Sequence, residues 1–185
     1  MKANKNTLGY IGAVPGRDDS NSWNTPRCYL SSARKVLKGI GLDPFSSNKA
    51  NLAVKAESFY TEEDDAFTTI WETDHPTVWM NPPYGRGVMP KAINRFISMY
   101  NAVKFDRAIV LTNNATETKW FQTMLSYSSM VCFPSKRIAF TSPDNKEISG
   151  NTRGQAFFLV GTGNVKKRFV KEFKQYGTIM EITHE

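Results

Sequence analysis

Apolar positions along the chain switch between a helical and a strand period. Leu30, Ala33, Val36 and Leu37 recur at helical spacing. Thr25 suits the N-cap of that helix, Pro26 its first position, and Gly39 its close. A short apolar stretch from Lys38 to Leu42 predicts a strand ending at Asp43-Pro44-Phe45, and Asn48 to Ala56 predicts a short helix. Thr61, followed by Glu62, Glu63 and Asp64, has the cap-then-acid order of a helix start. Thr77-Val78-Trp79-Met80 reads as a buried strand. Pro82 and Pro83 cannot donate to a ladder, so that strand must stop at Asn81. Ala92, Ile93, Phe96, Ile97, Tyr100 and Val103 form the apolar stripe of a core helix.

The same two periods continue to the end of the chain. Residues 108–112 form a buried strand, Thr116 is placed to cap the next helix, and Trp120, Phe121, Met124 and Leu125 face inward. Residues 130–134 and 155–160 are strands, separated by a Pro-, Gly- and Asn-rich loop at 141–154. A basic amphipathic helix spans 166–176, with Phe169, Val170 and Phe173 inward and Gly177 after it. Alternating strands and helices with one antiparallel pair at the end predict a doubly wound, mixed α/β sheet. Residues 1–22 read as a flexible segment, 23–177 as one domain and 178–185 as a tail.

Composition narrows the partners. The chain has 185 residues and a net charge of +7. Residues 1–90 carry ten basic and ten acidic side chains, whereas 91–185 carry fourteen and seven, so the second part supplies all the excess. A basic half favours a polyanion such as DNA. Cys28 and Cys132 stand alone and, with His75 and His184, make no ligand spacing, so no metal and reduced, buried thiols in a cytoplasmic protein are expected. With no apolar run of eighteen residues and no signal peptide, no membrane association is expected.

One stretch carries chemistry. Asn81-Pro82-Pro83-Tyr84 places a polar side chain, a stiff turn and a ring at a strand's carboxyl end, where open α/β sheets hold ligands. This quartet resembles the signature loop of methyltransferases that modify an amino group conjugated to a π system. The closest resemblance is to the compact Dam-like N6-adenine DNA methyltransferases of bacteriophages. It implies a Rossmann-like methyltransferase domain, S-adenosyl-L-methionine as the methyl donor, and double-stranded DNA as the partner. An aromatic amine is a poor nucleophile because its lone pair is delocalised. Two acceptors, the Asn81 side-chain oxygen and the Pro82 carbonyl, would draw its hydrogens out of the ring plane and localise that pair. Pro83 stiffens the turn, and Tyr84 offers a flat face to a base swung out of the duplex.

The resemblance extends to other segments. Trp23, Thr25 and Pro26 match the segment that lies against the donor at the first helix. Asp43, Pro44 and Phe45 match the Asp-Pro-Phe donor motif, although Ser46-Ser47-Asn48-Lys49 replaces its usual Gly-rich turn. Asp65 closes a Tyr-Thr-x-x-x-Asp segment whose acid faces the donor's adenine amine, and Glu57 is a lesser candidate for its ribose hydroxyls. Asn113 and Asn114 stand at a further strand end. Arg86, Lys91, Lys136, Arg137 and Arg153 are the candidate DNA contacts. A phage-encoded enzyme of this kind would work in the bacterial host cytoplasm, as a monomer or weak dimer, in restriction protection or regulation. The same acceptors would serve N4-cytosine or a protein glutamine amide, and a catalytically inactive DNA-binding scaffold is a further alternative.

Overall fold

A computed structural model describes residues 24–85, 87–141 and 151–184. Seven strands form one sheet: β1 (Leu42–Asp43), β2 (Ser58–Phe59), β3 (Thr77–Met80), β4 (Arg107–Asn113), β5 (Met130–Pro134), β6 (Gln155–Val160) and β7 (Gly177–Glu181). Their spatial order is β2-β1-β3-β4-β6-β5-β7. The first four in that order are mutually parallel. β6 runs antiparallel to both β4 and β5, and β7 antiparallel to β5. It follows that β1 to β5 all point their carboxyl ends to one edge, where β6 and β7 begin.

Among the described residues five helices cover the two faces: α1 (Arg27–Leu37), α2 (Asn48–Val54), α3 (Val88–Asn101), α4 (Lys119–Tyr127) and α5 (Asn164–Phe173). Alternation along the strands divides the core. Trp79, Ile109, Leu111, Phe157 and Leu159 pack against α1 and α5, through Leu30, Val36, Phe169 and Phe173. Val78, Met80, Ala108, Val110 and Phe158 pack against α3 and α4, through Ile93, Phe96, Phe121 and Met124. Strands buried on both faces are mostly apolar, which is why residues 108–111 of β4 and 156–160 of β6 read as continuous runs. The mixed, doubly wound α/β sheet expected from the alternation is present, in the arrangement of a Rossmann-like methyltransferase.

Several local expectations are corrected. The N-cap of α1 is Pro26, and no side chain caps that end; the Thr25 hydroxyl is engaged elsewhere. Thr61 starts no helix: its amide and hydroxyl both donate to Asp64 Oδ2, at 2.7 and 2.8 Å, closing a tight turn. The left-handed Asp65 (φ 47°) then turns the chain away from helix. Thr118, not Thr116, caps α4, accepting from the Phe121 amide. α3 ends before Val103, which is left-handed (φ 57°) and exposed rather than part of the stripe. Residues 177–181, for which no strand was expected, form a strand paired with β5.

Candidate functional site

The sheet has a topological switch between β1 and β3. From β1 the chain steps outward to β2, then returns to the other side of β1 as β3. Crevices at such switch points, beyond the carboxyl ends of the strands, are the usual ligand sites of open α/β sheets. Asp43 ends β1 and Asn81 follows β3, so the two flank this crevice on adjacent strands.

Asn81 is held from both sides. Its Nδ2 donates to Thr25 Oγ1 at 3.2 Å. Its Oδ1 accepts from the Tyr84 hydroxyl at 2.9 Å. Pro82 and Pro83 leave the turn without main-chain donors and keep Asn81 and Tyr84 in hydrogen-bonding reach. The Tyr84 ring lies edge-on to Phe140, centroids 6.3 Å apart, and touches both core clusters. Burial pushes its phenol far above the ordinary range, so it is a hydrogen-bond donor at any physiological pH.

Asp43 is only 3% exposed. Burial raises its pKa from 3.8 to about 7, against the opposing pull of the Phe45 amide and the Ser46 hydroxyl nearby. The Phe45 amide donates to Oδ1 at 3.2 Å. Ser46 Oγ is itself buried and, although it lies close enough to Asp43 to lower that carboxyl, makes no hydrogen bond of acceptable geometry among the described residues. Pro44 is buried beside them. Phe45 packs on Phe67 and Trp71, with centroids 5.2 and 6.3 Å away. That contact draws the Asp65 turn toward the end of β1. Asp65 Oδ1 accepts from the Phe67 amide and Oδ2 from the Thr68 hydroxyl, at 3.2 and 3.0 Å. Each oxygen keeps a further lone pair.

Glu57 does not join this group. It precedes the first residue of β2 and pairs with His75 Nδ1 at 3.6 Å, at the amino edge of the sheet. A parallel strand puts its two ends on opposite edges, so Glu57 faces away from Asn81.

The basic candidates do share the site's edge. Lys136 and Arg137 follow β5, Arg153 precedes β6, and all three are exposed. Lys91 is exposed on the first turns of α3. Trp23 and Arg86 lie outside the described residues, as does most of the loop at 141–154. Asn114 donates its amide to the Gly154 carbonyl at 3.0 Å, and so is a loop tie.

Two organising residues were not singled out from the sequence. Gln155, 3% exposed, accepts from the Ile138 amide and donates to the Arg153 carbonyl, at 3.1 and 2.8 Å. It ties the segments bearing Arg137 and Arg153 together. The signal available was a polar residue opening an otherwise apolar buried strand. Phe140, behind Tyr84, carried no signal beyond being aromatic. The main chains of Asn24 and Thr141 pair reciprocally, at 2.8 and 3.0 Å, and bolt the entry to α1 onto this segment. A cleft of about 580 Å³ opens there, with Thr25, Pro26, Arg27, Lys49 and Thr141 in its walls. Among the described residues no helix is long and apolar enough to cross a membrane, and no three metal-ligating side chains gather.

The family profile described as DNA N-6-adenine-methyltransferase (Dam) matches residues 15–178. A protein of Escherichia phage T1 described as a DNA N-6-adenine-methyltransferase is 26% identical over 153 residues, covering 75% of this chain and 61% of its own length. The chain thus spans about three-fifths of that relative. With a match over most of its length and a switch-point crevice flanked by Asp43 and the Asn-Pro-Pro-Tyr turn, the chain belongs to the DNA N-6-adenine-methyltransferase (Dam) family.

Proposed function

We propose that the chain transfers a methyl group from S-adenosylmethionine to the N6 amine of adenine in DNA. The observation that carries this reading is the Asn81 side chain, fixed at the carboxyl end of β3, one strand from the buried carboxylate of Asp43. Family membership supports the same reaction class.

The residues at the end of β1 fit the donor. A carboxylate that burial holds near pH 7, with an orphaned hydroxyl beside it, gains from a cationic ammonium and a further hydrogen-bond partner. Asp43 and Ser46 would therefore hold the amino-acid end, and Phe45 would pack alongside. Asp65, with a lone pair to spare on each oxygen, would accept from the donor's adenine amine. When bound, S-adenosylmethionine supplies an electrophilic methyl group.

The protein's part is to make the amine nucleophilic. A flipped adenine stacks on Tyr84, and its two amino hydrogens go to Asn81 Oδ1 and the Pro82 carbonyl. For that, the Tyr84 hydroxyl gives up Asn81 Oδ1. Preset acceptors cost no reorganisation as charge develops on the nitrogen. The product cation is a strong acid and loses its proton without a dedicated base. Lys91, Lys136, Arg137 and Arg153 would track the backbone phosphates.

The test is transfer of labelled methyl to DNA, with the modified base identified by sequencing. N6-methyladenine is expected, and Asn81→Ala lowers the rate by about a hundredfold or more while the protein stays folded. N4-methylcytosine, a methylated protein amide, or undiminished transfer by Asn81→Ala would refute the assignment.

A further inference from the structure

We infer that Thr25 is a positioning residue for Asn81, holding its amide by the nitrogen end so that the oxygen is left to the substrate. The inference rests on the function proposed above. An asparagine amide is nearly symmetric in shape, and only its oxygen can accept a hydrogen from an amine. A flip by half a turn would point Nδ2 at the base, where it opposes the chemistry. A partner that keeps hold of the nitrogen end therefore favours the productive sense.

Thr25 does this by accepting from Nδ2 at 3.2 Å. Thr25, a residue only 7% exposed, stands 56 residues earlier in the chain, just before α1. Placement is over-determined. Pro26 restricts the backbone of Thr25 to extended conformations, and the reciprocal Asn24–Thr141 pairing fixes the segment before it. A threonine before a helix ordinarily spends its oxygen on a free amide of the first turn. Here that end of the helix has no side-chain cap, and the oxygen is used on Asn81 instead. In the observed arrangement Tyr84 donates to Oδ1 and Thr25 accepts from Nδ2, so the two hydroxyls hold the amide in one sense. Thr25 keeps its hold on Nδ2 when the base takes up Oδ1.

Thr25→Val keeps the shape and removes the acceptor, while Thr25→Ser restores it. At saturating donor and DNA, the single-turnover rate of Thr25→Val should fall about tenfold, the effect of one lost hydrogen bond. Donor Kd should stay within about twofold, and Thr25→Ser should recover most of the rate. In ¹⁵N-labelled protein, the Asn81 side-chain amide protons should exchange faster in Thr25→Val and not in Thr25→Ser. A raised donor Kd with an unchanged saturated rate would make Thr25 a donor contact and overturn the inference. So would unchanged amide exchange. If Asn81→Ala transfers methyl as well as wild type, the proposed function falls first, and this inference with it.

Discussion

Replacing Asp43 by Asn should make the free protein more stable and worse at binding its donor. Asp43 is buried at the end of β1, and its pKa is raised from 3.8 to about 7. A raised carboxylate means the folded chain holds the proton more tightly than the unfolded chain does. Stability therefore falls as pH rises from about 4 to about 7, and levels off beyond. Moving a pKa from 3.8 to about 7, at about 1.36 kcal/mol per pH unit, amounts to roughly 4 kcal/mol at pH 8. That is a large share of a typical domain's stability. An asparagine carries no charge to bury. Its Oδ1 can still accept from the Phe45 amide, and its Nδ2 can donate to the orphaned Ser46 Oγ. The measurement is urea unfolding of wild type and Asp43→Asn from pH 4 to pH 8, taken as a difference so that other titrating groups cancel. The two should converge near pH 4 and diverge by a few kcal/mol by pH 8, with the variant more stable. Parallel curves across the range would refute the reasoning. Calorimetry on the same samples should find S-adenosylmethionine bound at least tenfold more weakly by the variant, as expected for removing a charge-assisted bond.

Tyr84→Phe keeps the ring and releases Asn81 Oδ1, so turnover should persist within a few-fold while stability drops by about 1 kcal/mol; Tyr84→Ala should lose roughly tenfold or more in rate, as stacking goes with the ring. Equal loss in both variants would deny the ring its role. Changing Lys136 and Arg137 to Ala should reduce the slope of log affinity against log salt by about 1 per side chain. Filter binding across a salt series measures it, and an unaltered slope would take them off the DNA surface.

How much of this was readable without coordinates depended on how far each residue's partner lay along the chain. β3 and the turn after it were legible because Pro82 and Pro83 end a ladder through their own covalent structure. The two-faced core was legible too, since residues 108–111 of β4 and 156–160 of β6 are unbroken apolar runs. Thr25 was misread as a cap because nothing local distinguishes a hydroxyl facing its own helix from one facing Asn81. The Thr61 segment failed for a related reason: Asp64 satisfies Thr61 within the turn, and Asp65 adopts a left-handed backbone no composition rule foresees. β7 escaped notice because it is an edge strand, five residues long and mostly exposed, with a pattern too weak to stand out from a tail. Gln155 needed its partners Ile138 and Arg153, which only the antiparallel return of β6 brings to it.

In the free chain the oxygen of Asn81 already has a phenolic partner. On the proposed function, an arriving adenine would exchange one donor for another at that atom. Little ground-state affinity is gained at the reacting nitrogen, so tight docking has to come from stacking and phosphate contacts. A ligand without amine hydrogens has nothing to trade, and leaves the hydroxyl in place. The corner thus weighs a nucleobase by what it can replace.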